Sequence, residues 1–227
     1  MGIICRKEYI ATWKYIKRAY LPATTLCQQN FGLIKIKTKN NEWISSNKWK
    51  FDSSRVGSGI LSNNFRTVTG NDTSYNSVYG TFPMKKGKKY IFSVNFETAN
   101  GTDNSCVGIA NYNHNYLMDY AGGDGQPGSE GSTNSMALWD SGLFYYQDNS
   151  YEIFENFTSG VVDVAVDRIN NLIWFRINRG LWNNETSSPI ISSGFDISEI
   201  KGTVYPVVFA FSSIPTVISV NTISSIS

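Results

Sequence analysis

The chain has 227 residues, of which 41% are hydrophobic, 14% aromatic and 17% charged, and its formal net charge is +2. That share of apolar and aromatic side chains is ample for a packed core and excludes wholesale disorder. No apolar run approaches the ~20 residues a membrane-spanning helix needs. Three cysteines (Cys5, Cys27, Cys106) without a CxxC pair, and a single histidine, His114, exclude a disulfide framework and a structural zinc site.

Short uncharged polar residues dominate: 23 Asn, 27 Ser and 16 Thr against 38 charged residues, with 19 Gly besides. Long helices would draw on Ala, Leu, Glu and Lys instead, so this composition predicts a mostly antiparallel β protein with many turns. The start of the chain, Met1 to Lys7, lacks a long apolar segment, so no secretory leader is expected. Charge is uneven along the sequence. Residues 1–89 carry 16 basic and 4 acidic residues, a balance of +12; residues 90–227 carry 4 and 14, a balance of −10. Either strands from both halves interleave and neutralise each other, or a basic N-terminal segment docks on an acidic partner such as another copy of the chain.

In chain order, residues 1–40 form an N-terminal attachment segment. Tyr9, Trp13, Ile16 and Tyr20 fall at i, i+4, i+7 and i+11, the stripe of an amphipathic helix that Pro22 would end, though the same residues permit a strand. They are the candidate assembly residues. Leu33 to Lys37 alternates with period two and reads as a short edge strand with protective lysines. Trp43 and Trp49 bracket a polar turn. Tyr90, Phe92, Val94 and Phe96 share one face of a half-buried strand, with Ser93, Asn95, Glu97 and Ile91 on the other. Cys106 to Ala110 reads as a buried strand with Gly108 at a close approach. Gly122 to Gly131 is turn chemistry throughout, a flexible surface loop. Val162, Val164 and Val166 face one way, with Asp163 and Asp167 on the other side. Asn170-Asn171 then makes a tight turn into Leu172–Ile177. Tyr205, Val207, Phe209 and Phe211 line one face of a last strand, where Pro206 points to an edge or a strand start.

Four of these segments, in this order, resemble the SPRY domain at the heart of B30.2 proteins. They are Gly87-Lys88-Lys89-Tyr90-Ile91-Phe92; Cys106-Val107-Gly108-Ile109-Ala110; the hairpin from Val162-Asp163-Val164-Ala165-Val166-Asp167 through Trp174-Phe175 to Asn178-Arg179-Gly180; and Val204-Tyr205-Pro206-Val207-Val208. The upstream Trp49-Lys50-Phe51-Asp52 and Gly59-Ile60-Leu61-Ser62 resemble the opening of SPRY-like domains in bacteriophage structural proteins. Three positions depart from the family pattern. Asp163 and Asn171 stand where it has glycine, and Arg179 is inserted between Asn178 and Gly180. The resemblance implies an all-β, bent antiparallel, concanavalin-like sandwich over 41–227. It also implies a recognition module that is not an enzyme.

The residues agree with that absence of catalysis. His114 has no Ser/Cys-His-Asp grouping by spacing, and Glu152 with Glu155 reads as a solvated pair. Asp119, Asp124 and Glu130 offer a calcium site only as a minor reading, and Lys85 to Lys89 a phosphate contact only as a minor one. No cofactor is expected. The candidate ligand-binding residues sit in the loops that gather at the ends of a sandwich: Tyr112, His114, Tyr116, Asp119, Trp139, Asp140, Tyr145 and Tyr146. Aromatic rings with Asn and Asp suit a glycan, a peptide or a protein surface. The expectation is a virion protein, a phage tail-fibre, tail or capsid-decoration subunit. It would be homo-oligomeric on the particle surface and partnered by other virion proteins or a host glycan or protein, with neither nucleic acid nor membrane insertion. A cytosolic adaptor that binds a peptide and a lectin-like domain are the alternatives.

Overall fold

A computed structural model describes residues 42–46, 48–57, 59–70, 77–114, 127–128, 133–146, 149–210 and 216–221. All belong to the unit Asn41–Ser227, one of two into which the chain divides, the other being Met1–Asn40. The stripe Tyr9, Trp13, Ile16 and Tyr20 and the strand expected at 33–37 lie outside the described residues, as do Tyr116, Asp119, Asp124, Glu130 and Phe211.

Fifteen strands run through the described residues. The first seven are β1 (Trp43–Ser45), β2 (Phe51–Val56), β3 (Ile60–Ser62), β4 (Thr67–Thr69), β5 (Ser77–Gly80), β6 (Lys89–Thr98) and β7 (Ser105–Asn111). There follow β8 (Ser135–Trp139), β9 (Leu143–Tyr146), β10 (Asn149–Glu152), β11 (Gly160–Asp167) and β12 (Leu172–Ile177). The last are β13 (Phe195–Asp196), β14 (Val204–Ala210) and β15 (Val217–Asn221). They make two sheets. One has the order β13-β12-β11-β6-β15-β4-β3, with β1 joined parallel to the start of β6; the other has the order β10-β9-β8-β7-β14-β5-β2. Every other pairing is antiparallel, so the architecture is the expected sandwich.

Period-two alternation places the main core between the sheets. Phe92, Val94 and Phe96 of β6 and Val162, Val164 and Val166 of β11 turn inward to meet Val107, Ile109, Leu138 and Val208 of the facing sheet. Trp49 closes one flank, packed edge-on against Phe51 at 5.6 Å and Phe92 at 5.7 Å.

The opposite face of β6 is not the half-solvated one expected. Ile91 and Ser93 are buried, because a second apolar layer of Ile91, Ala165, Trp174 and Trp182 covers the outside of this sheet, with Trp43 against it. In this layer Asp163 pairs with Arg176 and accepts a hydrogen bond from Ser93 Oγ, while Lys89 pairs with Asp167 at 3.3 Å. The outer face of the seven-stranded sheet is likewise covered, with Cys106, Ala137, Trp139 and Phe209 all buried there.

Three further expectations are corrected. The β11–β12 connection is a four-residue loop, because Asp167 pairs directly with Leu172, and of its two asparagines only Asn171 has positive φ (57°). Asp167 shapes it by accepting from the backbone N–H of Ile169 (2.8 Å) and of Asn170 (3.1 Å). Strand β14 is no edge, since β7 and β5 flank it. Pro206 sits near its start, just before the β5 ladder begins at Val207 opposite Tyr79. Within the expected surface loop 122–131, Pro127 and Gly128 are buried, with Gly128 N–H donating to Ser135 Oγ at 2.9 Å.

Both ends of the sandwich carry mixed charge. Lys85, Lys86, Lys88, Arg168 and Lys201 share one end with Glu42, Asp196 and Glu199. Glu97, Asp103, Glu152 and Glu155 share the other, beside the 140–143 turn, with Arg179.

Candidate functional site: an arginine between tyrosine rings

Strand β7 ends at Asn111, and the next residue, Tyr112, is 47% exposed. Its ring lies flat on that of Tyr205, with centroids 4.2 Å apart and planes 3° from parallel. Tyr205 comes from the start of β14, which the register places beside Ala110. Tyr79 of the neighbouring β5 meets both rings edge-on, at 5.7 Å from Tyr112 and 6.5 Å from Tyr205. The site thus assembles from strand ends more than 90 residues apart, because antiparallel pairing puts the end of β7 against the beginning of β14.

Arg55 of β2 completes it. Its guanidinium carbon is 4.0 Å from the Tyr112 ring centroid and 4.4 Å from that of Tyr79, and its Nη2 donates to the Tyr112 carbonyl at 3.4 Å. A cation held against two π faces is pre-ordered for a partner. The Tyr112 hydroxyl is pushed up to about 12, first by burial and next by its hydrogen bond with Tyr205, so the phenol stays neutral. The floor is polar but closed. Tyr79 OH donates to the carbonyls of Asn111 (2.6 Å) and His114 (3.2 Å). His114 is buried, with Nε2 3.4 Å from Ser77 Oγ and Nδ1 without a hydrogen-bond partner among the described residues. Burial first, and the Arg55 charge second, lower its pKa to about 4, so the ring is neutral at pH 7. Ser77 and His114 are both sealed from solvent, and among the described residues no carboxylate pairs with His114.

Solved structures resemble this sandwich over most of its length. The SPRY domain of human HERC1 superposes with a TM-score of 0.57 at 13% identity, over 77% of this chain and 99% of that one. The TRIM65 PSpry domain gives 0.59 at 9% identity, over 79% and 91%. A further human SPRY domain gives 0.50 at 15% identity, over 73% and 96%. The fold is that of a SPRY domain. No protein-family model matches the sequence, and no curated protein matches it.

The SPRY fold accounts for the three departures in the hairpin. Asn171 takes the left-handed conformation that glycine would, at φ 57°. Asn178 and Arg179 share it, at 50° and 61°. Asp163 carries a side chain because Arg176 stands opposite in the register and neutralises it.

The same fold separates the candidate ligand residues. Tyr112 and His114 lie at one end of β7, Trp139 and Asp140 at the other, about 20 Å apart along seven residues of strand. Trp139 is buried against Phe209 (5.2 Å) and Tyr145 (5.9 Å). Asp140 is buried and accepts from Gly101 N–H (3.2 Å), Asn104 N–H (3.1 Å) and Ser105 Oγ (2.9 Å), clamping the turn between β6 and β7. Burial raises its pKa, and those donors pull it back down. Tyr145 is half-buried, and Tyr146 is half-buried against the main core. Of the described candidates, only Tyr112 joins an exposed ring cluster. Its partners Arg55, Tyr79 and Tyr205 escaped sequence reasoning, although Tyr205 shares the alternating face of Val207 and Phe209.

Proposed function

We propose that this chain is a non-catalytic recognition module that binds a protein partner through Tyr112, Tyr205 and Arg55. More finely, it is a subunit of a bacteriophage particle, on the tail or capsid surface, assembled with other virion proteins. The observation that carries the binding reading is the parallel Tyr112–Tyr205 pair with its arginine. Large rings and a pre-ordered guanidinium are the residue types that dominate interface energetics. The sealed Ser77–His114 pair supports a module without turnover. The particle assignment rests on the resemblance of residues 49–64 to phage SPRY-like openings and on the Asn/Ser/Thr-rich composition.

Surface labelling of purified particles with an antibody to residues 41–227 tests the location, and virions free of the chain end that assignment. Alanine at Tyr112 or Arg55 tests the site: particle or host-surface binding drops at least tenfold while the melting temperature holds. Full binding by both variants refutes it. Recovery of one linear peptide motif from cytosol would mark a cellular adaptor instead, and selective retention on a glycan array a lectin.

A further inference from the structure

Arg168 is a buried cation that the fold leaves without a counter-ion. It follows Asp167, whose carboxylate shapes the β11–β12 loop, and the turn before β6 holds its backbone. Its N–H donates to Lys88 O at 2.9 Å, and its carbonyl accepts from Gly87 N–H at 3.1 Å. The side chain is 2% exposed. A guanidinium has five N–H donors. Nη2 gives its two to the carbonyls of Ile200 (3.3 Å) and Gly202 (2.7 Å). Nε and Nη1 are buried with no hydrogen-bond partner among the described residues, which leaves the other donors unmet.

Its neighbours are matched where it is not. Asp163 faces Arg176, and Asp167 takes Lys89. Among the described residues no carboxylate lies in ion-pair range of Arg168. The acids at this end, Glu42, Asp196 and Glu199, are exposed, and Glu199 meets Lys201 at 3.9 Å. Burial lowers the Arg168 pKa and the Tyr90 phenol pushes it back up, but the guanidinium keeps its charge. A buried charge without a counter-ion is unfavourable, and water can accept its N–H groups without cancelling that charge. The turns that bond to Arg168 are both built on glycine. Gly87 (φ 84°) and Gly202 (φ 79°) each have nothing within 4 Å of the Cβ position, so the space beside both is open. Between them Met84 bridges Val204, and Tyr90 OH accepts from Lys85 N–H at 3.0 Å.

We propose that Arg168 is the floor of a binding site for one small oxyanion of the phosphate class, entered between the Gly87 and Gly202 turns. The ligand is small because the unmet nitrogens are closed to solvent as the turns stand, so one turn swings aside to admit it and a macromolecular surface cannot reach them. It is an oxyanion because guanidinium donors match its oxygens and it brings the charge that water lacks. Phosphate suits the site better than a single carboxylate, since more than one donor is unmet and the exposed Lys85, Lys86 and Lys88 of the same turn favour a higher negative charge. The site shares no residue with the Tyr112 cluster and goes beyond the recognition reading.

Equilibrium dialysis of the full-length chain against radiolabelled inorganic phosphate, at constant ionic strength and with chloride or acetate as competitor, tests this. Saturable binding of one phosphate per chain is expected, together with a higher melting temperature. Arg168→Met keeps the bulk of the side chain without its charge and should weaken binding at least tenfold. Tyr112→Ala should bind phosphate as the wild type does, so failure here and failure of the recognition surface are told apart. A readout that needs no variant is the assigned Arg168 Nε–H resonance of the wild-type chain, which should shift with phosphate along the same isotherm. No saturable binding, an unmoved Arg168 resonance, or full binding by Arg168→Met overturns the proposal. Displacement by chloride as strong as by phosphate would mean general screening, and displacement by acetate as strong would mean a carboxylate site; either overturns the phosphate assignment.

Discussion

Arg176 Nε donates to Asp163 Oδ2 at 2.7 Å across the β11–β12 hairpin, and both side chains are buried. The Arg176 guanidinium also lies 4.4 Å from the Trp182 ring centroid, and Asp163 takes the Ser93 hydroxyl. Removing one member leaves a buried charge without its counter-ion, at a cost of about 3–5 kcal/mol. We expect Asp163→Ala and Arg176→Met each to lose that much stability in urea unfolding. The double variant should recover a large part of the loss. Single variants within about 0.5 kcal/mol of wild type would show that the pair carries no stability.

Gly108 of β7 pairs with Ala137 of β8. A Cβ there would be driven into the carbonyl oxygen of Met136 and would stand 2.6 Å from Ala137 Cα, both rigid backbone. Gly108→Ala should therefore exceed the usual overpacking cost of about 1–3 kcal/mol and fail to give a cooperative melt. Gly87→Ala is the contrast. Nothing lies within 4 Å of its Cβ position, so only the positive φ of 84° opposes it, a cost of about 1–2 kcal/mol. Calorimetry of both variants should rank them in that order.

Acid should weaken the fold through His114. Its folded pKa of about 4 lies below the ordinary 6.5, so the unfolded chain binds the extra proton between those values. Stability then rises with pH across the window from about 4 to 6.5 and falls as acid is added. The shift corresponds to roughly 3 kcal/mol across it. His114→Gln should flatten that slope, read as the difference in chemical-denaturation free energy from wild type at each pH. Since this is the single histidine, its imidazole NMR titration reports the folded value without assignment. A native midpoint near 6.5 would overturn the argument.

Cys106 is fully buried in the layer with Ala137, Trp139 and Phe209. Burial first, and the nearby Asp140 charge second, hold its thiol well above the ordinary range. It should resist iodoacetamide in the native state and react only as denaturant opens the seven-stranded sheet. Peptide mass mapping along a urea series checks this; rapid native labelling of Cys106 would mean that the layer is open.

The strands were readable where alternation was strict. The inward set Phe92, Val94 and Phe96 and the set Val162, Val164 and Val166 follow from period two, and the structure places both in the main core. Ile91 and Ser93 are buried although their face is polar in sequence, because alternation tells which residues share a face but not what covers it. Here Trp174 of β12 and Trp182 in the turn beyond it, distant in sequence, seal the outer side. The missing N–H of Pro206 points to an edge or a strand start, and the structure places it near the start of β14, a strand flanked on both sides. The β5 ladder simply begins one residue later.

The candidate site was legible only in its outermost ring. Tyr112 stood out as an aromatic residue in polar turn sequence, and it is the exposed one. His114, Trp139 and Asp140 carried the same local signal and fold inward, because burial depends on neighbours that local sequence does not name. Arg55 had no signal at all, since its meaning lies in rings 24 and 57 residues away.

Composition and alternation by themselves determined that this chain makes β-sheets and which side chains of β6 and β11 form the inner layer. These are properties of neighbouring residues along one strand, where sterics and hydrophobicity act locally. Tertiary structure decided which outer faces are sealed, which tyrosines stack, and that Asp163 meets Arg176. Strand order and register set those outcomes, and they bring together residues that have no local relation.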